Sequence, residues 1–495
     1  MTGLGWFRCI GSVFARFLAV CLFLCSQAFA GTEPVRGMSV GLHGSAPLSM
    51  TAVGGLFLFD ADDGRKGKEL WATKGPGEVP FLVADINRGT GSSNPGFFVV
   101  HGGRAYFAAN DGIHGCELWT SDGTPDGTRM VADLVPAPGE GAAPAKLVAA
   151  GNRIFFEASN ASGDRELWTS DGTEVGTSLL YTINPRGTGA RISSLVPVGD
   201  RIFFSADDGT HGVELWTSDG TCSGTRLVRD IRRGGGGSMP SGIVAASRKV
   251  FFLADDGVSG RAIWESDGTR SGTRIAVAFG QGTLRWTSDM AYGNGILVFA
   301  ADDGVHGLEP WILRDGDESP SMLADIAAGT ASSTPSCFTF AGGRVFFQAD
   351  DAIHGSQLWT SDGTSEGTRM VAEIRRGGAL FGSASSFVAF GNRLVFPADD
   401  GKCGMELWIS DGTAEGTTML VDADGSPSSS RPSILYVGGA TLWFRAETGR
   451  GSEPWWTDGT SAPASSAKNG GCALGASPLI PLLLLPLAAF FGRRR

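Results

Sequence analysis

The chain has 495 residues, too many for one ordinary hydrophobic core, so we expect several domains or one array of repeats. It contains 75 Gly, 13 Trp and 30 Phe with only 18% charged residues, which favours short strands and tight turns over helices or disorder. Two of its 40 basic residues lie in residues 1–30 and three at 493–495. The rest of the chain has 35 basic and 51 acidic residues, so its net charge is −16. This negative charge argues against binding to nucleic acid or to anionic membranes.

Residues 1–30 have the pattern of a secretory signal peptide. Two arginines precede an apolar run at 17–25 that is too short to span a membrane comfortably, and an Ala-x-Ala cleavage site ends at Ala30. Lipoprotein-type cleavage at Cys21 or Cys25 is a weaker alternative, because a bulky residue precedes each cysteine where a small one is expected. The sequence therefore predicts an exported protein.

One repeat dominates residues 31–460. Near copies of the octapeptide at 214–221 recur at steps of 47–49 residues, and each has a tryptophan at the same position. These tryptophans are Trp71, Trp119, Trp168, Trp216, Trp264, Trp311, Trp359, Trp408 and Trp455. The spacing predicts nine units of about 48 residues each.

Residues 192–231 show how one unit is organised. We predict four strands, at 192–198, 201–206, 213–218 and 225–231. They are joined by a Gly-Asp hairpin turn, an Asp-rich loop (the Asp loop) and a Ser-Asp-Gly-Thr turn, and a Gly-rich exit loop leads to the next unit. The second strand is apolar on both faces, which indicates sheets covered on both sides, as in stacked propeller blades.

The two ends of the repeat region predict how the ring closes. The last unit, 433–457, has only three predicted strands, and residues 31–40 resemble the start of a fourth strand. We therefore expect an all-β fold, a β-propeller of eight to nine four-stranded antiparallel blades with the ring closed by the N-terminal strand. Because propellers usually have about four to eight blades, two smaller rings or an open solenoid are the alternatives.

A meander places every Asp loop and exit loop at one end of the blades (the loop face) and every hairpin and Ser-Asp-Gly-Thr turn at the other (the turn face). The paired aspartates of the loop face are Asp62, Asp63, Asp207, Asp208, Asp255, Asp256, Asp302, Asp303, Asp350, Asp351, Asp399 and Asp400, and its histidines are His114, His211, His306 and His354. Their carboxylates could bind Ca²⁺ in an exported protein. We favour the alternative that each aspartate binds the backbone of its own loop, and that each histidine fixes its loop by a side-chain hydrogen bond rather than binding zinc.

No catalytic signature accompanies the repeat. The sequence has no G-x-S-x-G, no H-E-x-x-H and no phosphate-binding loop, and an active site would break the symmetry that these residues obey. We therefore expect no enzyme, no catalytic residues and no cofactor, with Ca²⁺ as the one exception considered. Trp286, Trp443 and Trp456 lie outside the repeat position and are the candidates for an asymmetric ligand site.

Two further segments follow the repeats. Residues 461–471 form a Ser/Ala/Pro/Gly linker, and residues 472–495 begin at Cys472, continue with about 19 apolar residues and end in three arginines. Such a stretch reaches across a thin bilayer with its arginines on the cytoplasmic side, which predicts a sorting or membrane-anchor segment.

The repeat and the tail each resemble a known family. The octapeptide, seen at 117–124, 166–173, 214–221 and 406–413, is similar to the motif of the ELWxxDGT repeat proteins, with departures such as Ala262 and Gln357 in place of its Glu. The tail resembles the MYXO-CTERM sorting signal of myxobacteria, which implies cleavage near Cys472 and anchoring at the cell surface; a plain membrane anchor is the alternative. The first resemblance implies a surface protein without known catalytic activity.

These observations predict an exported, surface-anchored, non-enzymatic repeat protein that binds an extracellular protein or glycan partner. It would not bind nucleic acid, and it would meet the membrane through its C-terminal segment only. The alternatives are a glycan-active hydrolase or lyase on a propeller scaffold and a structural component of the envelope.

Overall fold

The computed structural model describes residues 32–34, 44–137, 139–187, 189–278, 289–375, 386–423, 425–449 and 451–460. These residues form β-strands joined by turns and loops, and none of them belongs to a helix long and apolar enough to cross a membrane. The predicted signal peptide with Ala30, the linker at 461–471, the sorting segment with Cys472 and the residue Trp286 lie outside the described residues.

The described strands form nine four-stranded antiparallel sheets, the blades; the first eight are meanders in chain order, and the ninth takes its fourth strand from the N-terminus. Blades 1 to 3 contain β2 (Met50–Val53), β3 (Leu56–Asp62), β4 (Lys68–Thr73), β5 (Phe81–Ala84); β6 (Gly96–His101), β7 (Arg104–Asn110), β8 (Cys116–Ser121), β9 (Arg129–Ala132); and β10 (Ala145–Ala150), β11 (Arg153–Ser159), β12 (Arg165–Ser170), β13 (Ser178–Tyr181). Blades 4 to 6 contain β14 (Ser193–Val198), β15 (Arg201–Asp207), β16 (Val213–Ser218), β17 (Arg226–Leu227); β18 (Ser241–Ala246), β19 (Lys249–Asp255), β20 (Arg261–Ser266), β21 (Arg274–Val277); and β22 (Met290–Gly293), β23 (Ile296–Asp302), β24 (Leu308–Arg314), β25 (Ser321–Met322). Blades 7 to 9 contain β26 (Ser336–Ala341), β27 (Arg344–Asp350), β28 (Ser356–Ser361), β29 (Arg369–Ala372); β30 (Val388–Phe390), β31 (Arg393–Asp399), β32 (Met405–Ser410), β33 (Thr418–Val421); and β34 (Ser433–Gly438), β35 (Thr441–Thr448), β36 (Gly451–Thr457), β1 (Thr32–Pro34).

The first strand of each blade is the innermost. Strand β10 contacts β6 on one side and β14 on the other, and the same contact between first strands continues to β18 and β22. The fourth strands therefore form the rim, and each exit loop runs from the rim of one blade to the centre of the next. The predicted β-propeller, with nine blades in one ring, is confirmed.

The second strand of each blade supplies the core on both of its faces. Phe203 and Phe204 of β15 are adjacent, so their side chains point to opposite faces of the sheet, and both are fully buried. Phe204 belongs to the cluster shared with Phe155 of blade 3, whereas Phe203 belongs to the cluster shared with Phe252 of blade 5. A blade is thus covered on both sides by its neighbours, as the continuous apolar run predicted.

The N-terminal strand closes the ring, also as predicted. Strand β1 pairs antiparallel with β36, and Thr32 lies opposite Thr457. Blades 9 and 1 then share a core in which Trp443 is fully buried, with its ring centroid 4.9 Å from that of Phe57. The idea that Trp443 marks a ligand site is therefore wrong, because its side chain fills the interface that closes the ring; Trp456 packs half-buried against the same core.

Candidate functional site

The paired aspartates of the Asp loops bind the backbone of their own loops. The carboxylate of Asp207 accepts a hydrogen bond from the backbone N–H of Gly209 at 2.8 Å, and Asp208 accepts from the N–H groups of Thr210 and His211 at 2.8 Å each. The same pattern is present at Asp62 and Asp63, Asp255 and Asp256, Asp302 and Asp303, Asp350 and Asp351, and Asp399 and Asp400. The turn chemistry predicted for these aspartates is confirmed.

The structure does not bring these aspartates together into a metal-binding group. Within the described ranges, no three His, Cys, Asp or Glu side chains converge so that they could hold one metal ion. One oxygen of each carboxylate is already occupied by backbone N–H groups, so Ca²⁺ would have to share that carboxylate with the loop. Ca²⁺ binding at these loops stays a prediction.

Each of the four loop-face histidines forms a pair with an aspartate of its own loop. In blade 4, Nδ1 of His211 lies 2.7 Å from Oδ2 of Asp208. This side-chain hydrogen bond raises the pKa of His211 above its ordinary value. Partial burial opposes ionisation of Asp208, but the backbone N–H and the ring of His211 outweigh it, and the pKa of Asp208 is lowered. The predicted loop-fixing role is confirmed at His211, and the pairs at His114, His306 and His354 match it.

The glutamate of the octapeptide has a role that the sequence did not reveal. Glu214 is fully buried at the start of the third strand of blade 4. Its Oε1 accepts hydrogen bonds from the backbone N–H groups of Arg232 and Ser238, both at 3.0 Å, and its Oε2 accepts one from the Ser238 hydroxyl at 2.5 Å. One buried carboxylate therefore fastens the exit loop to the blade that the loop leaves.

A buried side chain that binds the exit loop recurs at the same position around the ring, and burial shifts the pKa of the glutamates there. The equivalent buried residues are Glu69, Glu117, Glu166, Glu309 and Glu406, with Gln357 in blade 7. Burial raises the pKa of both Glu117 and Glu406 to about 7, although the hydrogen bonds that they accept oppose the shift. The sequence contained one signal of this role, namely that a glutamate recurs in the third strand of most units, where the residues that follow it are apolar.

The Ser-Asp-Gly-Thr turns of the turn face are structural, as predicted. Asp219 accepts hydrogen bonds from the N–H of Thr221 at 2.9 Å and from its hydroxyl at 2.7 Å, and the Thr221 oxygen accepts the N–H of Gly224 at 2.9 Å. A Cβ atom at Gly224 would lie only 1.9 Å from the Asp219 carboxylate, so a glycine is required there. These side chains are engaged within the turn.

Four Asp loops expose an aliphatic side chain at the same position. These residues are Ile113, Val258, Val305 and Ile353, with 67%, 74%, 59% and 79% of their surface exposed. Each donates its backbone N–H to the aspartate two residues earlier, at 2.8–3.0 Å, which holds the loop tip in place. The loop face therefore displays fixed apolar tips on blades 2, 5, 6 and 7, a feature that sequence reasoning missed.

Comparison with known proteins adds no family assignment. No family model and no curated protein sequence matches the chain. Among solved structures, the chain is similar to the computationally designed Ika8 protein, at 16% identity and a TM-score of 0.41, over 75% of this chain and 98% of that one.

Two natural proteins show comparable similarity. A puromycin-hydrolyzing peptidase of Mycobacterium tuberculosis matches at 11% identity and a TM-score of 0.40, over 84% of this chain but only 61% of that one. The β-propeller domain of the Trilobed protease from Pyrococcus furiosus matches at 12% identity and a TM-score of 0.34, over 64% of this chain and 95% of that one. Similarity at this level assigns no activity to the chain.

Proposed function

We propose that this protein is a non-enzymatic binding propeller, exported and held at the cell surface, that engages an extracellular protein or glycan through its loop face. The observation that carries the proposal is the set of four exposed aliphatic tips, defined above, at equivalent positions of one face. Three of the tips, Val258, Val305 and Ile353, lie on the successive blades 5, 6 and 7, and exposed apolar residues that group on one face mark protein-binding surfaces. A protein is therefore the favoured partner of this face.

The repeated polar residues support a binding role over a catalytic one. The Asp–His pair of blade 4, Asp208 and His211, is occupied in fixing its loop, and Glu214 is buried beneath the exit loop. A glycan-active hydrolase or lyase would need its acid and base poised beside an open substrate site.

Anchoring at the cell surface rests on the sequence of the two ends. The resemblance to the ELWxxDGT repeat proteins and to the MYXO-CTERM signal supports export and retention on the outside of the cell. A purely structural role in the envelope is the alternative, and it predicts no saturable binding of a soluble partner.

The test is binding of the full-length chain, in detergent, to a panel of purified extracellular proteins and to a glycan array. A variant with Ile113, Val258, Val305 and Ile353 all changed to Ser should lose at least tenfold in affinity for a protein partner. The matched control is Val175→Ser, because Val175 is 97% exposed but lies in a turn of the opposite face. Equal binding by the quadruple variant and the wild type would reject the loop face as the binding surface.

A further inference from the structure

The turn face departs from the repeat between blades 5 and 6. A cleft of about 460 Å³ opens there, and it is lined by Ser247, Arg248, Lys249, Asp267, Tyr292 and Asp315. This volume lies within the range of roughly 300–1,000 Å³ that is typical of small-molecule sites. Asp267 is the regular aspartate of its Ser-Asp-Gly-Thr turn, whereas Ser247, Glu265 and Asp315 depart from the repeat.

The first departure is a serine in the hairpin turn of blade 5. Ser247 adopts the left-handed conformation, with φ of 47°, at a position that is glycine in blades 2, 3, 4, 7 and 8. A Cβ atom would lie 2.4 Å from the carbonyl oxygen of Asn392 at Gly342 of blade 7, but it would meet nothing within 4 Å at Gly199 of blade 4. Ser247 therefore adds a hydroxyl group to the lining of the cleft.

The second departure holds a cation at the edge of the cleft. Blades 2, 3, 4 and 7 have a threonine that bonds within its own sheet, as Thr217 does with the carbonyl of Ile202, but blade 5 has Glu265 at this position. The carboxylate of Glu265 accepts hydrogen bonds from Lys249 Nζ and from Arg274 Nε, each at 2.7 Å. Lys249 is thereby held at the cleft, with Nζ 4.5 Å from the centroid of the Phe251 ring.

The third departure supplies an aromatic residue and a carboxylate. Counted from Trp311, blade 6 has Leu-Arg-Asp-Gly at 313–316 where blades 2, 3, 4, 5, 7 and 8 have Ser-Asp-Gly-Thr, so Asp315 occupies the glycine position of the turn. Its Oδ2 accepts a hydrogen bond from the Tyr292 hydroxyl at 2.6 Å. The Tyr292 ring packs against Phe251, with the centroids 6.1 Å apart, so the phenol is held in a fixed orientation.

The charges around the cleft indicate the chemistry of its ligand. The lining of the cleft carries two cations, Arg248 and Lys249, and two carboxylates, Asp267 and Asp315. A balanced site attracts neither a strong anion nor a strong cation, but it offers charged donors and charged acceptors side by side. Vicinal hydroxyl groups of a sugar donate to carboxylates and accept from ammonium and guanidinium groups at once, and such charge-assisted bonds are strong.

We propose that the cleft between blades 5 and 6 binds a neutral saccharide, with Asp315, Lys249 and Arg248 making the polar contacts. This site lies on the turn face and is separate from the loop face proposed above to bind a protein. It rests on the proposed function only in treating the propeller as a binding protein.

The experiment uses the full-length chain in detergent and an array of neutral oligosaccharides, followed by calorimetric titration with the saccharides that bind. Asp315→Asn and Arg248→Ala should each weaken binding by about tenfold or more, since each removes a charge-assisted hydrogen bond. The matched control is Asp200→Asn, which removes another exposed carboxylate of the turn face, in blade 4, and should leave the affinity within twofold. Melting curves check that all three variants fold.

The outcomes separate this proposal from the proposed function. Saccharide binding that is lost in Asp315→Asn and Arg248→Ala but kept in Asp200→Asn supports the cleft. Saccharide binding that both cleft variants retain rejects the cleft as its location. Absence of saccharide binding in a chain that still binds a protein through its loop face rejects this proposal alone, whereas absence of any partner rejects both.

Discussion

The carboxylate of Glu406, on the third strand of blade 8, accepts a 2.5 Å hydrogen bond from the hydroxyl of Ser430, 24 residues later in the exit loop. Ser430 also donates its backbone N–H to the same carboxylate at 2.8 Å, and Ala423 donates a further N–H at 3.2 Å. A long loop without regular structure is thus tied to a blade at both of its ends by one buried side chain.

The buried glutamates predict that stability declines between mildly acidic and neutral pH. Burial raises the pKa of Glu406 to about 7, so the folded protein holds this proton more tightly than the unfolded chain does. The contribution of this group to stability is therefore complete below about pH 4.5 and is lost as the pH rises through about 7. Glu406→Gln should flatten the fall in melting temperature between pH 5 and pH 8.

Blade 7 supplies the control for this substitution, because it carries an amide naturally. Gln357 accepts the N–H of Ile374 at 3.2 Å and donates to the carbonyl groups of His354 and Arg375, which shows that an amide fits the position. Gln357→Glu should steepen the same pH profile. Parallel profiles for the wild type and Glu406→Gln would show that Glu406 does not titrate in this range.

A missing hydroxyl in blade 2 predicts a stabilising substitution. Glu117 accepts the backbone N–H of Ala142 at 2.9 Å, but Ala142 occupies the position that holds Ser430 in blade 8 and has no hydroxyl to donate. Ala142→Ser should raise the free energy of unfolding by about 1 kcal/mol, the typical contribution of one added hydrogen bond. The measurement is the denaturant midpoint.

Ala142→Ser should also change the pKa of Glu117. A new hydrogen bond to the charged form lowers the pKa of Glu117 below its present value of about 7. Ala190→Ser repeats the experiment in blade 3, because Ala190 donates its backbone N–H to the carbonyl of Arg165, next to Glu166, as Ser93 does to Lys68, next to Glu69. A lower denaturant midpoint in both variants would mean that the buried loop has no room for the hydroxyl.

Removal of divalent ions tests the Ca²⁺ hypothesis for the Asp loops. Because Asp207 and Asp208 already bind backbone N–H groups of their loop, we expect the loops to hold their shape without a metal. The melting temperature should be the same in excess chelator as in millimolar Ca²⁺. A marked drop in chelator that added Ca²⁺ reverses would instead establish a structural calcium site.

The ring-closing core predicts a large loss of stability at one residue. Trp443 is fully buried between blades 9 and 1, so Trp443→Ala should cost about 3–5 kcal/mol of unfolding free energy, as for other large aromatic core residues. Trp456 packs against the same core but is half-buried, so Trp456→Ala should cost clearly less. An equal or larger loss at Trp456 would contradict this assignment of the core.

Much of the architecture was predictable because it depends on local patterns. The recurrence of Trp216 and its equivalents revealed the number of units, and the apolar pair Phe203 and Phe204 revealed that both faces of a blade are covered. The roles of Asp208 and Asp219 were also predictable, since an aspartate that binds its own turn has its partners within three residues. Boundaries were less accurate: β17 covers only Arg226–Leu227, although the sequence predicted 225–231.

Three features became visible only when distant parts of the chain were placed together. Glu214 binds Ser238, which lies 24 residues away, and Trp443 packs against Phe57 from the other end of the ring. The cleft between blades 5 and 6 likewise combines Lys249 with Asp315. By itself the sequence determined the repeat, the turns and the two-sided burial, because these follow from residue types at fixed short spacings. The partners of the buried carboxylates, the core that closes the ring and the cleft between blades 5 and 6 were decided by the tertiary structure, because each joins residues that lie far apart in the sequence.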